Sequence, residues 1–150
     1  MRLYHGTNEA FNDIELSKSR KGKDFGIGFY LTPSRKVAQD QANKKAENFG
    51  GEPIVYEYEI DDAALSELKV LRFDCNDYTM EWTQFIRSNR QNKTRQQLHD
   101  YDVVIGPIAN DTVGYQIRDW KTVSYLKSNF CKRSSIITLR FSTCLVQKKH

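Results

Sequence analysis

Residues 54–60 read IVYEYEI, and no other stretch limits the fold of this chain as tightly. Apolar and aromatic residues alternate with Glu57 and Glu59, a period of two that buries one face of a strand and wets the other. Gly50, Gly51 and Pro53 precede the run and Asp61 and Asp62 follow it, so both ends are marked. Glu57 and Glu59 must point to the same side. They could form a carboxylate pair of glycosidase type, but glutamate is mostly exposed in folded proteins and a solvated strand face is the reading adopted.

The flanking segments supply partners for that strand. Over 34–48, Ala38, Ala42 and Ala46 recur every four residues behind the start signal Thr32-Pro33-Ser34, which predicts a helix with a small-residue face packed closely on a sheet. Residues 2–5 form a first strand or an extended lead-in, ended by Gly6. A polar covering segment follows, and then a mobile basic loop through Lys18, Arg20, Lys21 and Lys23. Residues 63–71 are ambiguous between helix and strand, with VLRF extended. Met80, Trp82, Phe85 and Ile86 predict a helix over 78–90, followed by a polar loop or surface helix over 91–100. YDVVI at 101–105 is a short buried strand ended by Gly106 and Pro107, with Asn110 and Asp111 on the loop beyond. A helix over 113–129 and a final strand over 135–146 complete the expectation, with Trp82 and Trp120 as core residues.

At 150 residues the chain fits one domain, 1–150, able to bury a core without staples. The charge of +4 permits an acidic partner without demanding one. Cys75, Cys131 and Cys144 are widely spaced and form neither a disulfide framework nor a zinc motif. No long apolar run and no signal-peptide pattern is present, so the expectation is a cytoplasmic protein with no membrane partner.

Two segments carry the chemistry: LYHGT at 3–7 and KDFGIGFYLTPS at 23–34. In the second, Gly26 and Gly28 allow a tight turn and a close backbone approach, followed by a strand displaying Tyr30. A rigid aromatic face beside bare backbone suits a planar heterocycle. His5 with His99 could also serve as the acid and base of a small basic ribonuclease, although no shared motif joins them.

LYHGT, then GIGFYLTP with its tyrosine 25 residues after the histidine (30 − 5), a helix and VYEYEI resemble the catalytic core of the ADP-ribosyltransferase superfamily, in its histidine–tyrosine–glutamate branch. EWTQFIRSNR and YDVVIGPIAND add a likeness to small bacterial members, long catalogued as a domain of unknown function, that often lie beside partner genes in toxin–antitoxin fashion. The resemblance covers roughly residues 1–120. It implies an α+β fold of two packed, mostly antiparallel sheets with flanking helices and NAD in a central cleft. It implies mono-ADP-ribosyl transfer from NAD, as substrate, to a protein or nucleic-acid acceptor, and an antitoxin partner.

By the same resemblance His5 hydrogen-bonds a ribose hydroxyl of NAD, and the Gly6 backbone and the Thr7 hydroxyl meet the nicotinamide carboxamide. Gly28 lets the backbone approach and Tyr30 stacks on the nicotinamide ring. The family's late glutamate has no counterpart, since the last glutamate here is Glu81. ITLRFST puts Thr138 at that place, with Gln116 and Asp119 as alternatives. A neutral group there orients substrate but forfeits a charge contact worth on the order of 3 kcal/mol in the transition state. The competing expectation is therefore a domain that binds NAD without turning it over.

Overall fold

The computed structural model describes residues 1–74, 79–109, 135–139 and 146–149, the side chains of 135, 136, 139 and 146–149 excepted. The strands are β1 (Arg2–Thr7), β2 (Phe29–Leu31), β3 (Ile54–Ile60), β4 (Val70–Arg72), β5 (Val103–Pro107), β6 (Ser135–Leu139) and β7 (Val146–Lys149). The helices are α1 (Arg35–Phe49), α2 (Asp62–Ser66) and α3 (Met80–Gln91), with a 3₁₀ turn at Leu16–Lys18. One sheet runs β1-β3-β7 and the other β2-β6-β5-β4. Every pairing is antiparallel except β4 with β5. The class is α+β with two mostly antiparallel sheets, as expected.

Local chemistry explains the boundaries. Ser34 caps α1 by accepting the Val37 N–H at 3.4 Å, and Gly50 ends it in the left-handed region at φ +78°. Thr79 caps α3 by accepting the Trp82 N–H at 3.1 Å. The ambiguous segment divides into α2, capped by Asp61, and the extended β4. After Gln91 no helix continues through the described residues to Tyr101. The predicted helix over 113–129, with Gln116, Asp119 and Trp120, lies outside the described residues, as do Asn110, Asp111, the three cysteines and 140–145.

Period-two alternation sorts the side chains into layers. Leu3, Leu31, Tyr58, Ile60, Val103, Ile105 and Ile137 meet in the core between the sheets. Phe25, Trp82, Ile86, Val104 and Ala109 form a second core between the far face of β5 and α3. Trp82 is fully buried and donates its indole N–H to the Pro107 carbonyl at 2.8 Å. On the opposite side α1 lies against β1, burying Ala38 and Ala42. Glu57 pairs with Arg2 at 3.0 Å and Glu59 is exposed, the solvated strand face expected of them.

The first strand corrects one expectation: β1 continues through Gly6 to Thr7, paired with β3 along its whole length. The sheets are joined at their edges by β1 and β2, where Tyr4 and Thr32 exchange backbone hydrogen bonds of 2.8 and 2.9 Å. That junction brings LYHGT and FYLT side by side.

Candidate functional site

A cleft of about 390 Å³ opens beside the junction. Its wall includes His5 and Thr7 from β1, Gly28 at the glycine turn, Phe29 and Tyr30 from β2, Lys45 and Phe49 from α1, and much of the covering segment 8–20. Four of the residues expected at the site, His5, Thr7, Gly28 and Tyr30, therefore share one cavity. Gly6 and Thr138 are not among its described lining residues.

His5 lies on the inter-sheet face of β1, where it stacks on Phe29 at 4.4 Å between ring centres and meets Phe11 edge-on at 5.8 Å. Its Nδ1 lies 2.8 Å from the Tyr30 carbonyl oxygen. A carbonyl only accepts, so Nδ1 carries the hydrogen and Nε2 keeps a bare lone pair. Burial, opposed by that hydrogen bond and helped by the ammonium groups of Lys45 and Lys23, lowers the His5 pKa to about 4. The ring is neutral at pH 7 and offers an acceptor.

Tyr30 is placed less simply. Strand alternation turns its ring away from Phe29 and onto the second core, where Phe25 stacks parallel at 6.3 Å. The Lys23 ammonium sits 4.3 Å from the ring centre. The phenol accepts the Phe25 N–H at 3.0 Å and donates to the Gly26 carbonyl at 2.9 Å, and burial raises its pKa well above the ordinary phenol value. The hydroxyl ties down the glycine turn, while Phe25 and Lys23 cover the ring.

The turn itself is built from distant residues. Gly26 has φ +81°, and a Cβ there would lie 2.6 Å from the Gln97 side-chain oxygen. Gln97 accepts the Ile27 N–H at 3.2 Å and donates to the Ile27 carbonyl at 2.9 Å, pairing with backbone as a strand would. Ser19 accepts the Gly28 N–H at 3.1 Å. Arg95 donates to the carbonyls of Leu16, Ser17 and Ser19, so the covering turn at 16–19 is tied to the segment after α3.

Gly6 faces α1. A Cβ at Gly6 would fall 1.9 Å from the Ala38 carbonyl oxygen, so close helix packing alone requires glycine there. Its carbonyl accepts from Lys45 Nζ at 2.6 Å. Thr138 is opposite Tyr30 in the β2–β6 register and 2% exposed; its hydroxyl makes no hydrogen bond of normal geometry among the described residues but lies close enough to the Tyr30 phenol to act on it. Thr7 is buried and its Oγ1 caps the Glu9 N–H at 3.3 Å. His99 is held apart from the cleft, with Nε2 3.0 Å from the Phe25 carbonyl oxygen and its ring against Phe85.

Sequence reasoning missed Lys45, Phe29 and Phe49. Lys45 is seven residues after Ala38 and three after Ala42, which places it on the face that packs against β1; that helical spacing was the available signal. Phe29 could be read only as the start of a buried strand.

The fold and cleft together define an α+β domain of two packed sheets with a basic, histidine-containing pocket at their junction. The chain belongs to the family described as "Protein of unknown function (DUF3990)", whose model matches residues 1–149. Comparison with curated proteins and with solved structures finds no match.

Proposed function

We propose that this protein is a mono-ADP-ribosyltransferase, the toxin of a toxin–antitoxin pair, which transfers ADP-ribose from NAD to a macromolecular acceptor and releases nicotinamide. The observation that carries the reading is the contact between His5 and the Tyr30 backbone at 2.8 Å, on a cleft also lined by Thr7 and Gly28. Residues named from two separate motifs converge on one pocket of a size that suits a small ligand.

In this reading the neutral His5 ring accepts a hydrogen bond from a ribose hydroxyl through Nε2. For Tyr30 to stack on nicotinamide, Lys23 leaves the ring face, a displacement that costs about 1 kcal/mol as a cation–π contact. The nicotinamide–ribose C–N bond breaks through an oxocarbenium-like state, the bonding pair leaves with nicotinamide, and a nucleophile on the acceptor closes onto the ribose carbon. Thr138 supplies no charge to that cation. The carboxylates that line the cleft among the described residues are Glu9, Asp13 and Glu15, the last paired with Lys18 at 2.8 Å.

Nicotinamide release and transfer of label from NAD, measured on the purified chain, test the proposal. Turnover in the wild type, lost in His5→Ala and Tyr30→Ala, is expected; a wild type with neither NAD binding nor turnover would sink it. A second reading, NAD binding without turnover, is favoured by the buried, neutral Thr138, the residue that the resemblance sets in place of the family's late glutamate. Calorimetric binding with no nicotinamide released would select it. The ribonuclease reading gains nothing, since His5 and His99 are in different clusters.

A further inference from the structure

Three cations of the cleft wall rest on neutral groups. Lys45 Nζ donates to the Gly6 carbonyl, Lys23 Nζ lies over the Tyr30 ring, and the Arg20 guanidinium lies over the Phe49 ring, 4.9 Å from its centre. No carboxylate stands within ion-pair distance of any of the three among the described residues. Glu9, Asp13 and Glu15 line the same cleft, but Glu15 is engaged by Lys18, and Glu9 also acts on Lys18. The charges acting on Lys23 are those of Lys45 and Arg20, and the charge acting on Lys45 is that of Arg20. Burial and this repulsion bring the Lys23 pKa down to about 8.

Holding the two half-buried ammonium groups of Lys23 and Lys45 beside a third cation, the exposed Arg20 at the cleft rim, is unfavourable unless an anion joins them. Such an arrangement persists where binding requires it. The donors fit phosphate oxygens: a planar guanidinium can take two at once, and the two ammonium groups act as point charges.

We propose that Arg20, Lys23 and Lys45 form a binding site for the diphosphate group of a small nucleotide. The cavity of about 390 Å³ is on the scale of a small-molecule pocket rather than a polymer groove. The inference deepens the NAD reading and rests on it for the nucleotide character of the ligand, while the cation cluster stands on its own geometry. It also couples two parts of the pocket. When Lys23 turns to the diphosphate it uncovers the Tyr30 ring, so a base carrying a diphosphate gains over the base alone.

Calorimetry on the full chain tests the site with pyrophosphate and ADP, using adenosine and nicotinamide as phosphate-free controls. Pyrophosphate and ADP are expected to bind, more weakly in high salt, and to lose about tenfold or more in Lys23→Met and in Arg20→Gln, the scale of one charge-assisted contact. Nicotinamide is expected to bind Lys23→Met at least as well as wild type, because the ring is uncovered. Lys23→Met removes an uncompensated charge, so its thermal midpoint should match or exceed that of the wild type, which separates lost binding from lost folding. Lys45→Arg should keep both the charge and the binding. The site is refuted if ADP binds no more tightly than adenosine, if both variants bind ADP as the wild type does, or if a short single-stranded RNA outcompetes ADP. ADP binding that depends on these residues without any NAD binding would overturn the transferase reading alone; NAD binding indifferent to them would overturn the diphosphate site alone.

Discussion

At the scale of single residues, His5 shows how a fold selects one chemical form of a side chain. An unfolded His5 takes up a proton near its ordinary value of 6.5, whereas the folded ring does so only near pH 4. Between those values the unfolded chain binds the extra proton and acid favours unfolding. Above pH 7 the residue costs nothing; as pH falls from about 6.5 to 4 it removes up to about 3 kcal/mol of stability. His5→Asn keeps a hydrogen-bond donor near the Nδ1 position and does not titrate. Urea midpoints at neutral and acid pH should show a shallower acid loss in that variant, and an equal loss in both proteins would refute the assignment. The histidine itself was plain in LYHGT, but its tautomer was not, because the acceptor that fixes it belongs to the backbone of Tyr30, 25 residues away.

At the scale of elements, α1 against β1 is the contact on which the cleft wall depends. The four-residue spacing of Ala38, Ala42 and Ala46 announces a face made for close approach, and the structure buries the first two against β1. The spacing does not say what approaches. That is Gly6, where a Cβ would meet the Ala38 oxygen at 1.9 Å and the Ala42 nitrogen at 2.9 Å. Backbone atoms cannot step aside as a side chain would, so Gly6→Ala is expected to push the helix off the strand at a cost of about 3 kcal/mol. Denaturant unfolding measures this directly, and an unchanged midpoint would show that the packing is looser than described. Lys45 leaves the same helix face to reach the Gly6 carbonyl. One residue thus serves sheet packing and pocket electrostatics, and the glycine read from sequence as a ligand contact has a packing reason of its own.

At the scale of the whole molecule, a partly buried ion pair ties the glycine turn to the second core. Arg90 on α3 donates from Nε to Asp24 at 2.6 Å and from its terminal nitrogen to the Ala109 carbonyl at 2.9 Å, while Asp24 accepts the Ala109 N–H at 2.7 Å. Three chain segments meet there. Removing one partner leaves the other charge partly buried, so Asp24→Asn should cost about 3 kcal/mol, and the double change with Arg90→Met should recover part of it. A single variant as stable as the wild type would contradict this. Among the described residues no helix is long and apolar enough to cross a membrane.

The sequence by itself determined the elements whose causes are local. The alternation in IVYEYEI, the helix start signal Thr32-Pro33-Ser34, the alanine face of α1 and the apolar period of α3 each depend on neighbours a few residues away, and each is found where its pattern predicts, the structure choosing Ser34 as the cap. Tertiary structure alone decided what those elements do together. It carried β1 through Gly6, turned the Tyr30 ring away from Phe29 and under Lys23, and gathered Arg20, Lys23 and Lys45 around one cleft. The reason is physical: strand pairing, charge repulsion and ring contacts act through space, between residues as far apart as Gly26 and Gln97, and no local pattern records them.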